Sequence, residues 1–421
     1  MFYHISRTPR LSGIVLSAVL LALGCGPDDE MRQRSAALDP PGGDELAAQD
    51  VTRTVGIVLI DYDDVKASSA MTLANAQARL DAARSYYLTV SEGHLTLQTS
   101  SFGGSLPHVY LVNVSGNRPP SAAIANQGYI ADTLRPALAE QWGPAAAALQ
   151  IIGWFSPGEF GGASGEAFGE TCFADASAHC DATIFNTEHS DRVWRHEFGH
   201  NLGLYHSSSL YGGSFAEYGN LSCLMGSDWS GASLTPLQLE KLKRYQFSPQ
   251  QHQVLSHDAS GLETLNSEQH HNVTISPTAA VGLSGNSPPI LVSVNLPYYI
   301  VWHEGQSRPT SIAYRRFALA NRKPVGIDQN LDPSLTQGFE LYYPRHGQER
   351  DPRPIVYNNV GPYTHPLHGG ADCIANDGTQ HDCVLDCTIS GVQTGQLSDQ
   401  SVVLDITTSC HAILDFGSSG G

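Results

Sequence analysis

The sequence predicts an α+β fold: a mixed helix-and-strand domain over residues 51–250, then an all-β, sandwich-like domain over residues 251–421. Three observations carry that expectation. In the first half, β-branched runs such as "TVGIVLID" alternate with segments of helical period. Beyond about Phe247 no helical period persists, and short runs ("NVTISP", "ILVSVNL", "YYIVWHE", "FELYYP", "SVVLDITT") stand between Gly, Pro and Asn clusters. The roughly 370 residues after the N-terminal segment also exceed what one core usually holds, which favours two domains.

Taken in order, residues 54–61 read as a buried strand. From about Ser69 to Leu88, Leu73, Ala76, Leu80, Ala83 and Tyr87 recur at spacings of three and four, as one face of a helix. "GHLTLQTS" alternates as a half-buried strand. An alanine-rich helical stretch runs from about Ser121 to Trp142 and is interrupted by Pro136. "ALQIIGWFS" and "DATIFN" read as further strands, separated by a glycine-rich segment, 161–169, expected to be a loop or irregular edge, flexible and at the rim of a cleft. That segment lacks the strand–loop–helix setting of a phosphate cradle. The next helix has Ser190 or Asp191 as its N-cap candidate and Gly203 as the left-handed residue that ends it. A later helix starts with Thr235 as N-cap and Pro236 at its first position.

The N-terminus reads as an export signal. Arg7 and Arg10 precede an apolar run that breaks at "LALGCG", so residues 1–25 describe a signal peptide. The cysteine after "LALG" resembles the lipobox of bacterial lipoproteins, which implies lipidation at Cys25 and a cell-envelope location, with plain secretion as the alternative. Ala22 stands where that motif prefers Leu. Residues 26–50, rich in Asp, Pro, Gly and Ala, read as a disordered tether. A net charge of −18 with only 23 basic residues argues against nucleic acid or an anionic membrane as partner, leaving the lipid anchor as the one expected membrane contact. A monomer is expected. Setting Cys25 aside, seven cysteines remain, and four (Cys373, Cys383, Cys387, Cys410) lie in the last fifty residues, as two local disulfides would. The odd count leaves one thiol over among Cys172, Cys180 and Cys223. The Cys172–Cys180 interval is suited to bracing a cleft rim.

The chemistry concentrates in "RHEFGHNLGLYHSS", residues 195–208. The plain alternative is a surface helix with Trp194, Phe198 and Leu202 inward and His196 and His200 in water. The longer pattern points further. Histidines at i and i+4 can place two imidazole nitrogens on one ion, a glycine lets the chain turn back, and His206 can supply a third. Three neutral ligands leave zinc a fourth position for water, whose proton Glu197 is placed to accept. His270, His271, His365 and His368 lie in polar, loop-like stretches and are expected to be surface residues.

HExxHxxGxxH resembles the zinc motif of the metzincin metallopeptidases, and "SCLMGSD" places Met225 where that family has the methionine of a tight turn beneath the metal. "HEFGHNLGLYHSS", "EYGNLSCLMG" and "YYLTVSEGHLTL" look most like the gametolysin-type members. The resemblance covers about residues 52–250. It implies a metzincin-like zincin catalytic domain with a twisted mixed sheet, Zn2+ on His196, His200 and His206, Glu197 as the catalytic residue, and an extended peptide paired to an edge strand. The implied substrates are extracellular proteins or glycoproteins, including those of cell wall or matrix. Ser227 stands where some members carry a metal-reaching tyrosine, so that role does not transfer, and Tyr205 and Tyr218 are the nearby candidates. A non-enzymatic surface adhesin retaining the fold is the competing expectation, as is a zinc hydrolase acting on a non-peptide amide.

Overall fold

The computed structural model describes residues 50–99, 108–158, 165–169, 171–185, 190–209, 218–221, 223–226, 234–235, 238–239, 242, 252–277, 288–323, 339–343, 355–359 and 363–416. The signal segment with Cys25, the tether before Asp50, Ser227 and Pro236 lie outside them.

Strands β1 (Val51–Asp61), β2 (Leu95–Gln98), β3 (Val109–Asn113), β4 (Ile151–Phe155), β5 (Gly165–Phe168) and β6 (Cys180–Ile184) form the first sheet. Its order is β2-β1-β4-β6-β5, with β3 also on β1; all pairs are parallel except β5 with β6. The continuous apolar run of β1 follows from burial on both faces. Ile57 and Leu59 join a core with Ala76, Leu80, Ala83 and Tyr87 of the Leu73–Val90 helix. Val58 and Ile60 point the other way, into a core with Ile130, Leu134 and Leu138. Leu73 of the expected helical face is exposed, because it is the first residue of its helix.

The Ser121–Trp142 stretch is not one helix broken at Pro136. A short turn, Ser121–Ile124, ends at Ala125, and Gln127–Trp142 is then one continuous helical run with a π-helical turn, Ile130–Leu134, just before Pro136; Arg135 N–H donates to Ile130 O there, and the wider turn accommodates the proline. Of the two alternatives for the 161–169 segment, its described part takes the edge: Gly165–Phe168 is the antiparallel edge strand β5.

The remaining strands are β7 (Ser208–Ser209), β8 (His252–Ser256), β9 (Glu268–Ile275), β10 (Leu291–His303), β11 (Ser311–Asn321), β12 (Phe339–Tyr343), β13 (Ile355–Asn359), β14 (Tyr363–Ile374), β15 (Gln380–Gln396) and β16 (Val402–Ile413). They pair continuously in the order β7-β13-β12-β11-β10-β14-β15-β16-β9, with β8 also on β10. The expected two-sheet sandwich is therefore replaced by one ten-stranded mixed sheet. Period-two alternation, clear in β16, says which side chains face inward but not which strand pairs with which. "ILVSVNL" and "YYIVWHE" are a single strand, β10, with an irregularity between Pro297 and Tyr299. His270 and His271 lie in β9, and His365 and His368 in β14, so all four are strand residues rather than loop residues.

Disulfides join Cys172 to Cys180, Cys373 to Cys383 and Cys387 to Cys410, leaving Cys223 as a buried thiol. The last two staple β14 to β15 and β15 to β16. The second sheet has its own core, which includes Val292, Phe317, Leu341 and Leu404. Yet Ile290, Leu291, Ala318, Ala320 and Tyr342 pack into the core of the first half, beside the residues that carry the chemistry. Among the described residues, no helix is long and apolar enough to cross a membrane.

Candidate metal centre

The helix Ser190–Asn201 follows β6, with Asp191 in its first turn where a negative charge favours the helix dipole. Ser190 is already helical, so the cap position falls just before it, outside the described residues. Trp194, Phe198 and Leu202 are fully buried against the first sheet, as their spacing predicts. The opposite side is not in water: His196 and Glu197 are also buried, at 6% and 7% exposure. The plain surface-helix alternative is thereby overturned.

The helix ends in a Schellman arrangement. Gly203 takes φ +79°, its N–H donates to His200 O (2.7 Å), and Leu204 N–H donates to Gly199 O (2.9 Å). The chain reverses and brings His206 back. His196, His200 and His206 each offer one nitrogen, all within 4.8 Å of one another, with ring centroids 4.6–5.4 Å apart.

Backbone carbonyls orient two of these ligands. His196 Nδ1–H donates to Leu224 O (2.9 Å) and His200 Nδ1–H to Leu204 O (2.7 Å), which turns both Nε2 lone pairs toward the cluster. Burial, then the neighbouring histidines, holds His196 well below the usual imidazole range and His200 down at about 4. Both are therefore neutral, the form that binds a metal.

Met225 lies in the turn Cys223–Gly226, closed by Gly226 N–H donating to Cys223 O (2.9 Å). Three successive carbonyls of this turn are held from the site: Leu224 O by His196, Met225 O by Ser207 N–H (2.8 Å) and Gly226 O by the Arg192 guanidinium (2.5 Å). Met225 itself packs where the helix has no side chain, since a Cβ at Gly199 would stand 2.6 Å from its Sδ.

Glu197 lies against the start of β5. A Cβ at Gly165 would meet Glu197 Cγ and Oε1, both at 2.9 Å. Burial pushes the Glu197 carboxyl up to about 8; Glu166 adds to that, and Arg192 opposes it. A cation on the three histidines would also oppose it. Tyr218 adopts a left-handed backbone (φ +61°), and its ring lies 3.8 Å from that of His206 and 5.9 Å from that of His196. Tyr205 instead offers its carbonyl to Gln238 Nε2–H (2.8 Å).

Sequence reasoning missed Glu166, Gly165, Arg192 and Gln238 as parts of this site. None of them belongs to a spaced motif: Glu166, Gly165 and Gln238 reach the site through folding of other segments, and Arg192, one turn before His196 on the same helix, reads in the sequence as a helix-surface cation. The Cys172–Cys180 disulfide ties the 171–179 stretch to the first residue of β6, and Arg53 holds that stretch through its bonds to Cys172 O and Phe173 O.

No family model matches the chain, and no curated protein matches it. Among solved structures, it is similar to one described as "Structure of a chaperone-substrate complex", at 16% identity and a TM-score of 0.28. The likeness covers 46% of this chain and 35% of that one, and at this level it carries no argument about fold or function.

Proposed function

We propose that this chain is a zinc-dependent endopeptidase with a metzincin-like catalytic half, exported and lipid-anchored through Cys25. The observation that carries the reading is the convergence of His196, His200 and His206 with buried Glu197 between the first two ligands. The neutral imidazoles of His196 and His200, with their Nδ1 atoms engaged by backbone carbonyls, suit zinc, which takes three protein nitrogens and keeps a position open. When bound, zinc supplies an acidified water and polarises the scissile carbonyl.

The chain's own residues do the rest. Glu197 accepts a proton from the attacking water on a carboxylate oxygen and delivers it to the departing amine nitrogen. Gly165 leaves the space that the carboxylate occupies. β5 ends the strand order of the first sheet beside this carboxylate, which suits main-chain pairing with an extended peptide and little side-chain selectivity. The expected substrates are extracellular proteins or glycoproteins of wall or matrix. Three disulfides fit an oxidising compartment.

The test compares the intact protein with Glu197→Ala for cleavage of an unfolded protein, with bound zinc quantified in both. One zinc in each, with cleavage at least about a hundredfold slower in the variant, supports the reading. Zinc in both and cleavage in neither would favour a binding protein or adhesin. No zinc in either removes the metal site.

A further inference from the structure

His196 and His200 owe their spacing to a helix, but His206 follows the helix end on a stretch without regular structure, so that helix does not place it. We propose that Gln238 is the positioning residue for this third ligand and couples the metal centre to the C-terminal sheet. The proposal rests on the metal reading above.

The buried side-chain amide of Gln238 joins three segments. Its Nε2–H donates to Tyr205 O (2.8 Å), the carbonyl of the peptide bond that leads into His206. Its Oε1 accepts from Thr235 N–H (3.1 Å) and from the Cys223 thiol (3.1 Å), in the turn that carries Met225. Thr235 Oγ1 in return accepts from Gln238 N–H (3.2 Å) and fixes the start of that helical segment. Burial pushes the Cys223 thiol up to about 11, so it stays protonated and able to donate.

From there the network enters the C-terminal sheet. Leu234, next to Thr235, accepts at its carbonyl from buried Arg322 Nη1–H (2.8 Å), and Arg322 directly follows β11. On the other side of His206, Ser208–Ser209 is β7, which pairs in parallel with β13. His206 is thus bracketed by two attachments to one sheet. Any ion that draws His206 into place also favours the packing of that sheet, and the reverse holds by linkage. Only the amide does this work, because a glutamate at 238 would set a carboxylate oxygen against the Tyr205 carbonyl.

The test uses the full chain with zinc, and with cobalt(II) as a spectroscopic probe of ligand number. Gln238→Leu and Gln238→Glu are expected to weaken metal binding about ten- to a hundredfold and to change the cobalt absorption bands. Leu138→Ala, in the separate core on the other face of the first sheet, is expected to lose stability but bind both metals as the parent does. Parent-like affinity and spectra in both Gln238 variants would overturn the proposal. Should both variants fail to fold, hydrogen exchange on the intact protein decides. Zinc-induced protection in β11–β13 supports the coupling, and protection confined to residues 190–206 refutes it. An intact protein that binds no metal would fail the earlier reading first, before any variant is made.

Discussion

Replacing a helical glycine by alanine normally stabilises a protein, so Gly199→Ala separates the local from the tertiary account of the centre. Helix propensity alone favours the alanine by about 1 kcal/mol. The structure predicts the opposite sign. The new methyl would lie 2.6 Å from Met225 Sδ, 2.8 Å from the Tyr87 hydroxyl and 3.3 Å from Met225 Cε. Overpacking of this kind costs about 1–3 kcal/mol. If Tyr87 is pushed aside, its 2.5 Å hydrogen bond to Arg195 O weakens as well, worth about 1 kcal/mol. The net expectation is a loss of about 1–3 kcal/mol, read from equilibrium urea or guanidinium denaturation. A double-mutant cycle with Met225→Ala sharpens the test, because removing the thioether relieves two of the three contacts. The cost of Gly199→Ala should then fall by at least about 1 kcal/mol. A Gly199→Ala protein more stable than its parent, with the two substitutions additive, would refute this packing of the turn beneath the helix.

Two further outcomes are expected. Gly165→Ala should keep the metal and lower turnover about ten- to a hundredfold, because the added carbon displaces the Glu197 carboxylate with Ile184 Cδ1 closing the other side at 3.0 Å; parent-like turnover at equal metal content would count against that placement. For His252, burial and then Arg316 hold the imidazole down at about 4, against about 6.5 unfolded. The unfolded chain therefore binds more protons between those values, and stability falls as pH drops from about 6.5 to about 4. His252→Gln should flatten that part of the stability–pH curve, and an unchanged slope would show that other groups produce it.

What the sequence by itself determined is local. The spacing of His196 and His200, the helix end at Gly203, the cap at Thr235 and the buried run of β1 each depend on contacts within a turn or two of chain, where residue type and period suffice. The convergence of His206 was also legible, because a glycine break and a short return leave few places for it to go. The tertiary structure decided the rest. Cys223 is the unpaired thiol among the described residues, the second half is one sheet rather than two, and β5, legible only as a loop or irregular edge, becomes the edge strand beside Glu197. Gln238 and Arg322, which carry no motif, reach the third ligand only after Tyr205, Cys223, Thr235 and β11 have come together. Such contacts are chosen by the free energy of packing and pairing residues far apart in the chain, and no local pattern encodes which of many similar strands or polar side chains will win.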